Sequence, residues 1–590
     1  MQTYAIVLIY LAVIAWLGWK GYRGTKNALD YMVGGRRIHP YVMAMSYGAT
    51  FISTSAIVGF GGAAGVFGMG LLWLTFLNIF AGIFIAFVFF GGRTREMGYH
   101  LDAHTFPELM ARRFQSRFIQ GFSGLVIFLF MPLYTAAVLI GAAQFLSAKF
   151  GINYELALFG FSTIVAVYVI MGGLKGVMYT DAFQGSIMLV GMIFLIYFTY
   201  DKLGGVVSAH QALGAMKDMV PPPLAAGGHQ GWASMPAFGS PVWWMLVSTI
   251  IMGVGIGVLA MPQLAVRYMT VKSKRELNRA VLIGGVFILL MTGVAFVVGS
   301  VSNVYFADNV DDLDFAVVTT TTVGEDGQPL VKTAPPVLKE LAPAADPGKG
   351  IEVAVTKKGA ISLVAAGMDV SKIIPSYVLH AMPRWFGVLF LLTLLAAAMS
   401  TISSQFHAMG TSIGRDFYEK GLRGGRHTPS SIGVTRVGIL VGIVFSVFLG
   451  YWLQKTYGGQ GMSIIARGTA IFFGLCASTF LPMYFGGLFT RRITRAGAIS
   501  GMLVGFLASA FWLGFVLKMK MKMPAPLAEA ILGKSSVLDG ASTGFILWDQ
   551  VDPLFIALPL SILVTILVSL VTAPPNRTHL DHCFHGKSRG

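Results

Sequence analysis

Three clusters of polar side chains stand inside apolar stretches, with types and spacings suited to holding an ion or a small polar solute. The first runs Ser46-Tyr47-Gly48-Ala49-Thr50-Phe51-Ile52-Ser53-Thr54-Ser55. The hydroxyls of Ser46, Thr50, Ser53, Thr54 and Ser55 compete for backbone hydrogen bonds, and the following Gly59, Gly61, Gly62 and Gly65 weaken a helical ladder. A helix broken here would free carbonyl and N–H groups for a cation or an anionic solute group. The alternative is an intact helix with hydroxyls bonded to i−4 carbonyls and a small-residue packing face. The glycine run only loosely matches a dinucleotide fingerprint: Ala64 replaces the last glycine and no strand precedes it.

The second cluster is Ala396-Ala397-Ala398-Met399-Ser400-Thr401-Ile402-Ser403-Ser404. Ser400, Ser403 and Ser404 fall at i, i+3 and i+4 and share one helix face, with Thr401 about 100° round from Ser400. A stripe of hydroxyl oxygens suits a hard cation, which prefers oxygen ligands; close packing through small residues is the competing reading. The third is Asp181, ending Gly172-Gly173-Leu174-Lys175-Gly176-Val177-Met178-Tyr179-Thr180-Asp181. Acidic residues are nearly absent from the apolar stretches. A carboxylate near the serine stripe would add a full negative charge, whereas a structural reading makes Asp181 a helix N-terminal residue favoured by the dipole. A fourth feature, Gly253-Val254-Gly255-Ile256-Gly257, does not make a strong helix.

The elements that carry these clusters are set by composition. The chain has 590 residues, 55% hydrophobic and only 12% charged, and its mean hydropathy is +0.71. A soluble domain is about 25% charged, so a soluble enzyme, a disordered chain and a coiled coil are disfavoured. Thirteen apolar stretches approach the length of about 20 residues that a membrane helix needs. They lie near 3–19, 40–66, 70–92, 118–148, 154–172, 181–200, 241–266, 281–306, 384–414, 432–454, 464–489, 497–517 and 551–573. The first is read as an uncleaved span with its N-terminus outside, because Lys20, Arg23, Lys26, Arg36 and Arg37 follow it rather than precede it.

That orientation puts 20–39, 93–117, 173–180, 267–280, 415–436, 491–495 and 574–590 inside. These segments hold nearly all the arginines. The outside loops hold Lys but almost no Arg, with Arg384 and Arg467 at span edges. The net charge of +17 is therefore a topology signal and an attraction to anionic lipid, not a nucleic-acid footprint. Three hydrophilic stretches, 201–240, 307–378 and 518–548, fall outside; the middle one has turn residues (Gly324, Asp326, Gly327, Pro329) and strand-like alternation around 315–323. Cys476 and Cys583 are too far apart for a disulfide framework or a CxxC metal pattern. No span carries paired His ligands or a nucleophile with a base, His380 and His407 being isolated, so the expectation is no enzyme, no cofactor and no obligatory protein partner.

Thirteen spans without an extended soluble domain point to transport. The second and seventh spans, both glycine-weakened, sit five spans apart, and an odd repeat length inverts the second copy. In its motifs the chain resembles the sodium/solute symporter family, whose members include sodium/proline, sodium/sialic acid, pantothenate, monocarboxylate and sodium/glucose transporters. Gly172-Gly173-Leu174-Lys175 with Tyr179-Thr180-Asp181 and Gln184 carries the likeness, as does Pro262-Gln263 with Arg267-Tyr268 and the basic helix after it. So do Ala396–Thr401 ending in Arg415-Asp416-Phe417-Tyr418, and Ala44-Met45-Ser46 leading into Ser53, in the family's order over roughly residues 25–500.

The resemblance implies an all-α integral membrane protein with a LeuT-type five-plus-five inverted repeat and three further helices. The repeats would occupy 40–200 and 241–490, the latter with the insert 307–378. Residues 1–39 would hold the first span and its inner loop, 201–240 an external loop, 491–573 two further spans and 574–590 a cytoplasmic tail. It implies a main sodium site of the Ala49, Ile52 and Ala397 carbonyls with the Ser400 and Thr401 hydroxyls, and a second built from Asp181, Ser400, Ser403 and Ser404, so that two sodium ions are possible. The expected substrate pocket holds Phe51, Ser53, Thr54, Tyr134 and the Trp243–Thr249 stretch, Trp244 and Thr249 among them; Trp243 and Trp244 fit an interfacial belt equally well.

Sodium/proline members carry an acidic residue where Phe51 stands, and the insert 307–378 is longer than in the simplest members, which speaks against proline. With no acid in the pocket a cationic solute is disfavoured, and a short monocarboxylate imported with sodium across the plasma (inner) membrane is the expectation. An amino acid, sugar or vitamin-type solute is the alternative. A proton-coupled permease on this fold would place Lys or Arg at the sodium position, and none stands among those residues. A signalling sensor would need more than the tail after 573; a transport-inactive nutrient receptor is the rival outside transport.

Overall fold

The computed structural model describes residues 2–309, 315–323, 329–333, 337–338, 351–352, 370–423, 431–457, 464–518, 525–538 and 547–585. Among them, eleven helical runs are long and apolar enough to cross a membrane. The difference from thirteen lies in how crossings are joined. The run α6, Tyr154–Lys202, is 49 residues long; at 1.5 Å per residue it would reach about 70 Å, twice a bilayer's hydrocarbon core. It breaks at Gly173 (φ 55, ψ −162), where a Cβ would lie 2.6 Å from the Tyr31 ring. Only glycine takes that backbone without strain, so the chain reverses its helical continuity between the two expected spans. The 46-residue run Ser55–His100 is likewise divided at Gly68, with φ +75.

The second crossing is broken. Helix α2, Pro40–Phe51, starts with Pro at its first turn and the His39 side chain accepting from Tyr41 N–H. It stops at Ile52, whose backbone is extended (φ −88, ψ 98). A π-helical turn, Ser55–Phe60, and α3, Gly61–Phe67, complete the crossing. The glycine run follows the break and serves packing. A Cβ on Gly62 would sit 1.9 Å from the Val370 carbonyl oxygen, and one on Gly299 of α8, Lys274–Asp308, would sit 1.9 Å from that of Gly61. The broken-helix reading therefore holds, and of its alternative only the small-residue packing face is found, on the turns after the break.

The seventh crossing is irregular too: a π-helix over Met245–Val254, short turns at Gly255–Gly257 and Val258–Ala260, and an extended Met261 before α7, Pro262–Tyr268. Helix α9, Arg384–Thr411, carries the serine stripe and packs against α6 and α2, while α6 also lies against α1, Gln2–Arg23. Thus the three segments bearing the predicted polar residues meet in the interior. Within the insert, β1 (Phe315–Val323) pairs antiparallel with β2 (Pro329–Thr333), β3 (Val337–Leu338) and β4 (Ile351–Glu352). The alternation at 315–323 is thus a strand; Gly324, Asp326 and Gly327 lie outside the described residues.

Candidate cation and solute site

A helix leaves its last carbonyls without intrahelical donors. At the end of α2 the Gly48 carbonyl accepts from Ile52 N–H at 2.8 Å, and the next two are met from α9. The Ser400 hydroxyl donates to the Ala49 carbonyl at 2.8 Å and reaches that of Ala397 at 3.3 Å. The Thr401 hydroxyl donates to Thr50 at 3.1 Å and reaches Ala49 at 3.4 Å. All these residues are buried. Four of the five residues of the expected main site are therefore in mutual contact, and Ile52 is the residue at which the helix stops. A hydroxyl that donates to a carbonyl can turn its lone pairs to a cation, so the cluster is a partial oxygen shell at the negative end of a half-helix.

Asp181 stands eight residues beyond the Gly173 break, inside a helix rather than at its start. Its Oδ2 accepts from the Ser46 hydroxyl at 2.7 Å, Thr50 at 3.3 Å and Ser404 at 3.4 Å; its Oδ1 accepts from Ser403 at 3.3 Å. Ser400, expected in this group, bonds to Ala49 and Ala397 instead. The unexpected member is Arg267. Its Nη2 lies 3.0 Å from Asp181 Oδ2, both side chains being fully buried, and it donates to Thr50 and Ser404. Its Nε donates to Ser46 at 3.0 Å and its Nη1 to the Gln263 carbonyl. The main site holds no Lys or Arg, but the second does: a guanidinium sits where a second sodium was expected. In sequence Arg267 reads as the first residue of a basic inner segment. The available signal was its isolation, one turn after Pro262 and ahead of the Lys272–Arg279 cluster.

Beside the break is a cavity of about 20 Å³, lined by Phe51, Ser53, Tyr134, Asn78, Thr469 and Phe473 among others. That is room for about one water. Among the described residues, no Asp, Glu, Lys or Arg lines it. Phe51, Ser53 and Tyr134 fall where expected. Thr54 points elsewhere, its hydroxyl 3.4 Å from the Val138 carbonyl, and the seventh crossing contributes Val254 instead of Trp244 and Thr249. Trp244 packs edge-on to Trp243 and Phe555. The π-helical turn shifts the phase of that crossing relative to a regular α-helix.

On the side predicted to face outward, a cavity of about 590 Å³ lies among Gln144, Tyr154, Lys372, Tyr451 and Lys455, with Val58 and Gly141 also lining it. On the predicted inner side, below Arg267 and Ser404, a cavity of only about 20 Å³ includes His104, Thr105 and His407 in its lining. It is bounded by α4, Phe106–Phe114, whose N-cap Thr105 donates to Asp416 Oδ1 at 2.8 Å. Glu108 of α4 pairs with Arg415 at 3.1 Å and Arg112 at 2.7 Å. Burial pushes the Glu108 carboxyl up, but Arg415, Arg112 and His104 together outweigh it and hold it below the usual carboxylate range. Burial pushes the His104 imidazole down, against the pull of Glu108.

A broken crossing whose end carbonyls are met by hydroxyls of another helix, between cavities of unequal size, defines a membrane carrier of the broken-helix class. The sodium:solute symporter family matches residues 31–338 and 352–505, and the chain belongs to that family. It is similar to the sodium/proline symporter of Staphylococcus aureus, at 25% identity over 533 residues, 87% of this chain and 86% of the relative. The sodium/proline symporter of Staphylococcus aureus strain JH9 is 26% identical over 534 residues with the same coverage. In fold it is similar to a Na+-coupled sialic acid symporter solved in a substrate-bound outward-open state, with a TM-score of 0.68 at 18% identity over 98% of each chain. The family and LeuT-type fold expected from the motifs are borne out.

Proposed function

We propose that this protein imports a small organic solute together with sodium by alternating access, and that the solute is a short monocarboxylate. The observation that carries the sodium reading is the pair of contacts from Ser400 and Thr401 to the terminal carbonyls of α2. A sodium ion shared by these oxygens ties α2 to α9. That bond is present only when the break has the geometry the solute needs, so each ligand must tighten the other by the same factor. The unequal cavities fit an arrangement open to the outside and closed by α4 within, with the N-terminus outside as the arginine distribution implies. At the second position the guanidinium of Arg267 is the resident cation, and a second sodium binds Asp181 only when Arg267 withdraws.

The monocarboxylate reading is supported by the Ser53 and Tyr134 hydroxyls beside Phe51, where no acid lines the cavity among the described residues, and it requires this cavity, about one water in size here, to widen when solute binds. The named relatives carry proline, which also bears a carboxylate but adds an ammonium group that this cavity does not match. Uptake of radiolabelled acetate, pyruvate, lactate and proline into proteoliposomes, under an inward sodium gradient and in choline, tests both parts. Equal uptake in choline would end the sodium reading. Sodium-driven proline uptake that carboxylates do not displace would end the monocarboxylate reading and leave symport standing.

A further inference from the structure

Asp552 belongs to none of the sites above. It precedes α13, Leu554–Val571, and is fully buried. Its Oδ1 accepts from Leu554 N–H at 2.9 Å and its own N–H donates to the Ser248 hydroxyl at 3.1 Å, so one carboxylate oxygen and the backbone are satisfied by the start of the helix and the seventh crossing. The other oxygen, Oδ2, has no hydrogen-bond partner among the described residues.

What faces Oδ2 is the missing side chain of Gly253. Beyond the local backbone, the three atoms nearest to the place a Cβ would occupy are all oxygens, from three separate elements. They are the Ser248 carbonyl at 3.5 Å, Asp552 Oδ2 at 3.8 Å and the carbonyl of Ala470 in α11, Ile464–Phe489, at 3.9 Å. The two carbonyls lie inside helical segments and each keeps a second lone pair, whereas the Asp552 oxygen has no partner among the described residues. A buried carboxylate oxygen without a partner is costly in a membrane protein. A small hard cation removes that penalty, and an all-oxygen set with a single carboxylate suits a monovalent one. The gap lies in the π-helical turn Met245–Val254, a kind of local irregularity that recurs at functional sites.

We propose that Asp552 Oδ2, with the carbonyls of Ser248 and Ala470, binds a sodium ion at a site separate from those at the break and at Asp181. Hard ions of this size take oxygens at about 2.3–2.6 Å, so the ion sits off the centre of the gap toward the carboxylate and completes its shell with water. Bound there, it pins α13 to the seventh crossing and to α11.

The test is binding of 22Na+ to purified full-length protein in choline buffer, by scintillation proximity, in a Ser400→Ala/Thr401→Ala background that disables the main site. Two substitutions are added separately. Asp552→Asn removes the charge. Gly253→Ala fills the gap with a methyl whose nearest neighbours, at 3.5–3.9 Å, are at ordinary contact distance, so the fold is kept. The expected result is measurable 22Na+ binding in the background and a fall of about tenfold or more with either addition, at unchanged melting temperature. Three results would overturn the proposal: no binding in the background, unchanged binding with both additions, or displacement of 22Na+ by potassium as readily as by sodium.

Discussion

Ser400 and Thr401 hold the end of a helix that their own helix does not continue. Each reaches a carbonyl of α2 across some 350 residues of chain, through hydroxyls that were legible in sequence because polar groups are rare in apolar spans. Replacing Ser400 with Ala removes one oxygen of the proposed sodium site and leaves the Ala49 carbonyl with a single, longer contact. The sodium concentration giving half-maximal uptake should rise about tenfold, equivalent to about 1.4 kcal/mol, as read from a sodium titration of initial rates. Asp181 was legible for the same reason, but its partner was not. A guanidinium reads as a topology mark until the fold turns it inward, and here it makes five hydrogen bonds to buried oxygens. Breaking a buried pair on one side costs about 3–5 kcal/mol, whereas removing both charges costs much less. Arg267→Gln should therefore lower the melting temperature of the purified protein more than Arg267→Gln/Asp181→Asn does. A simple sum of the two single effects would exclude strong coupling.

At the scale of elements, the breaks are where sequence and structure meet best and worst. The second span breaks within the polar cluster, as the hydroxyls and glycines suggested, yet the glycines themselves are contact points between backbones. Gly299→Ala should reduce folded yield sharply, since its methyl would meet the Gly61 carbonyl at 1.9 Å; size-exclusion of the solubilised protein measures this. In the seventh crossing Val254, rather than Trp244 or Thr249, lines the cavity by Phe51, and helical periodicity in sequence does not foresee the π-helical turn that carries it. The inner tie of α4 gives a pH prediction with a definite sign. Glu108 is held low, so its contribution is complete above the unfolded carboxyl's value of about 4.3 and fades only as pH falls through the folded one. His104 is also held low, so its contribution is complete above about 6.5 and is lost as acid drives pH from there through its folded value. Acidification from about pH 7 to about pH 5 should thus weaken the His104 contribution to the tie of α4, while Asp416, the acceptor of the Thr105 hydroxyl, whose carboxyl burial pushes up to about 7, takes up a proton over the same interval with the opposite sign. The labelling rate of a cysteine placed at Thr411, on the inner cavity, divided by that of free cysteine at the same pH to remove the loss of thiolate, should rise over that interval more in the parent than in a His104→Gln variant.

For the whole molecule, the crossings were legible because about 20 apolar residues leave few alternatives to a membrane helix. Their continuity was not, since a single glycine with positive φ decides whether two spans share one helical run. The arrangement of cavities was not legible either, because it belongs to a conformation rather than to a sequence. If the cavity by Lys372 and Lys455 is the outer one, a membrane-impermeant thiol reagent should label a cysteine at Lys455 from outside in intact cells, and sodium with solute should slow that labelling severalfold.

The hydroxyls that meet the end of α2 also bear on the half of the cycle in which nothing is carried. A transporter must swing back after delivering its cargo, and bare carbonyl dipoles inside a lipid-embedded protein would resist that movement. Ser400 and Thr401 can cover those dipoles with their own protons, so the return stroke need not expose them. The same two side chains would then set both how firmly cargo is coupled inward and how readily the carrier resets.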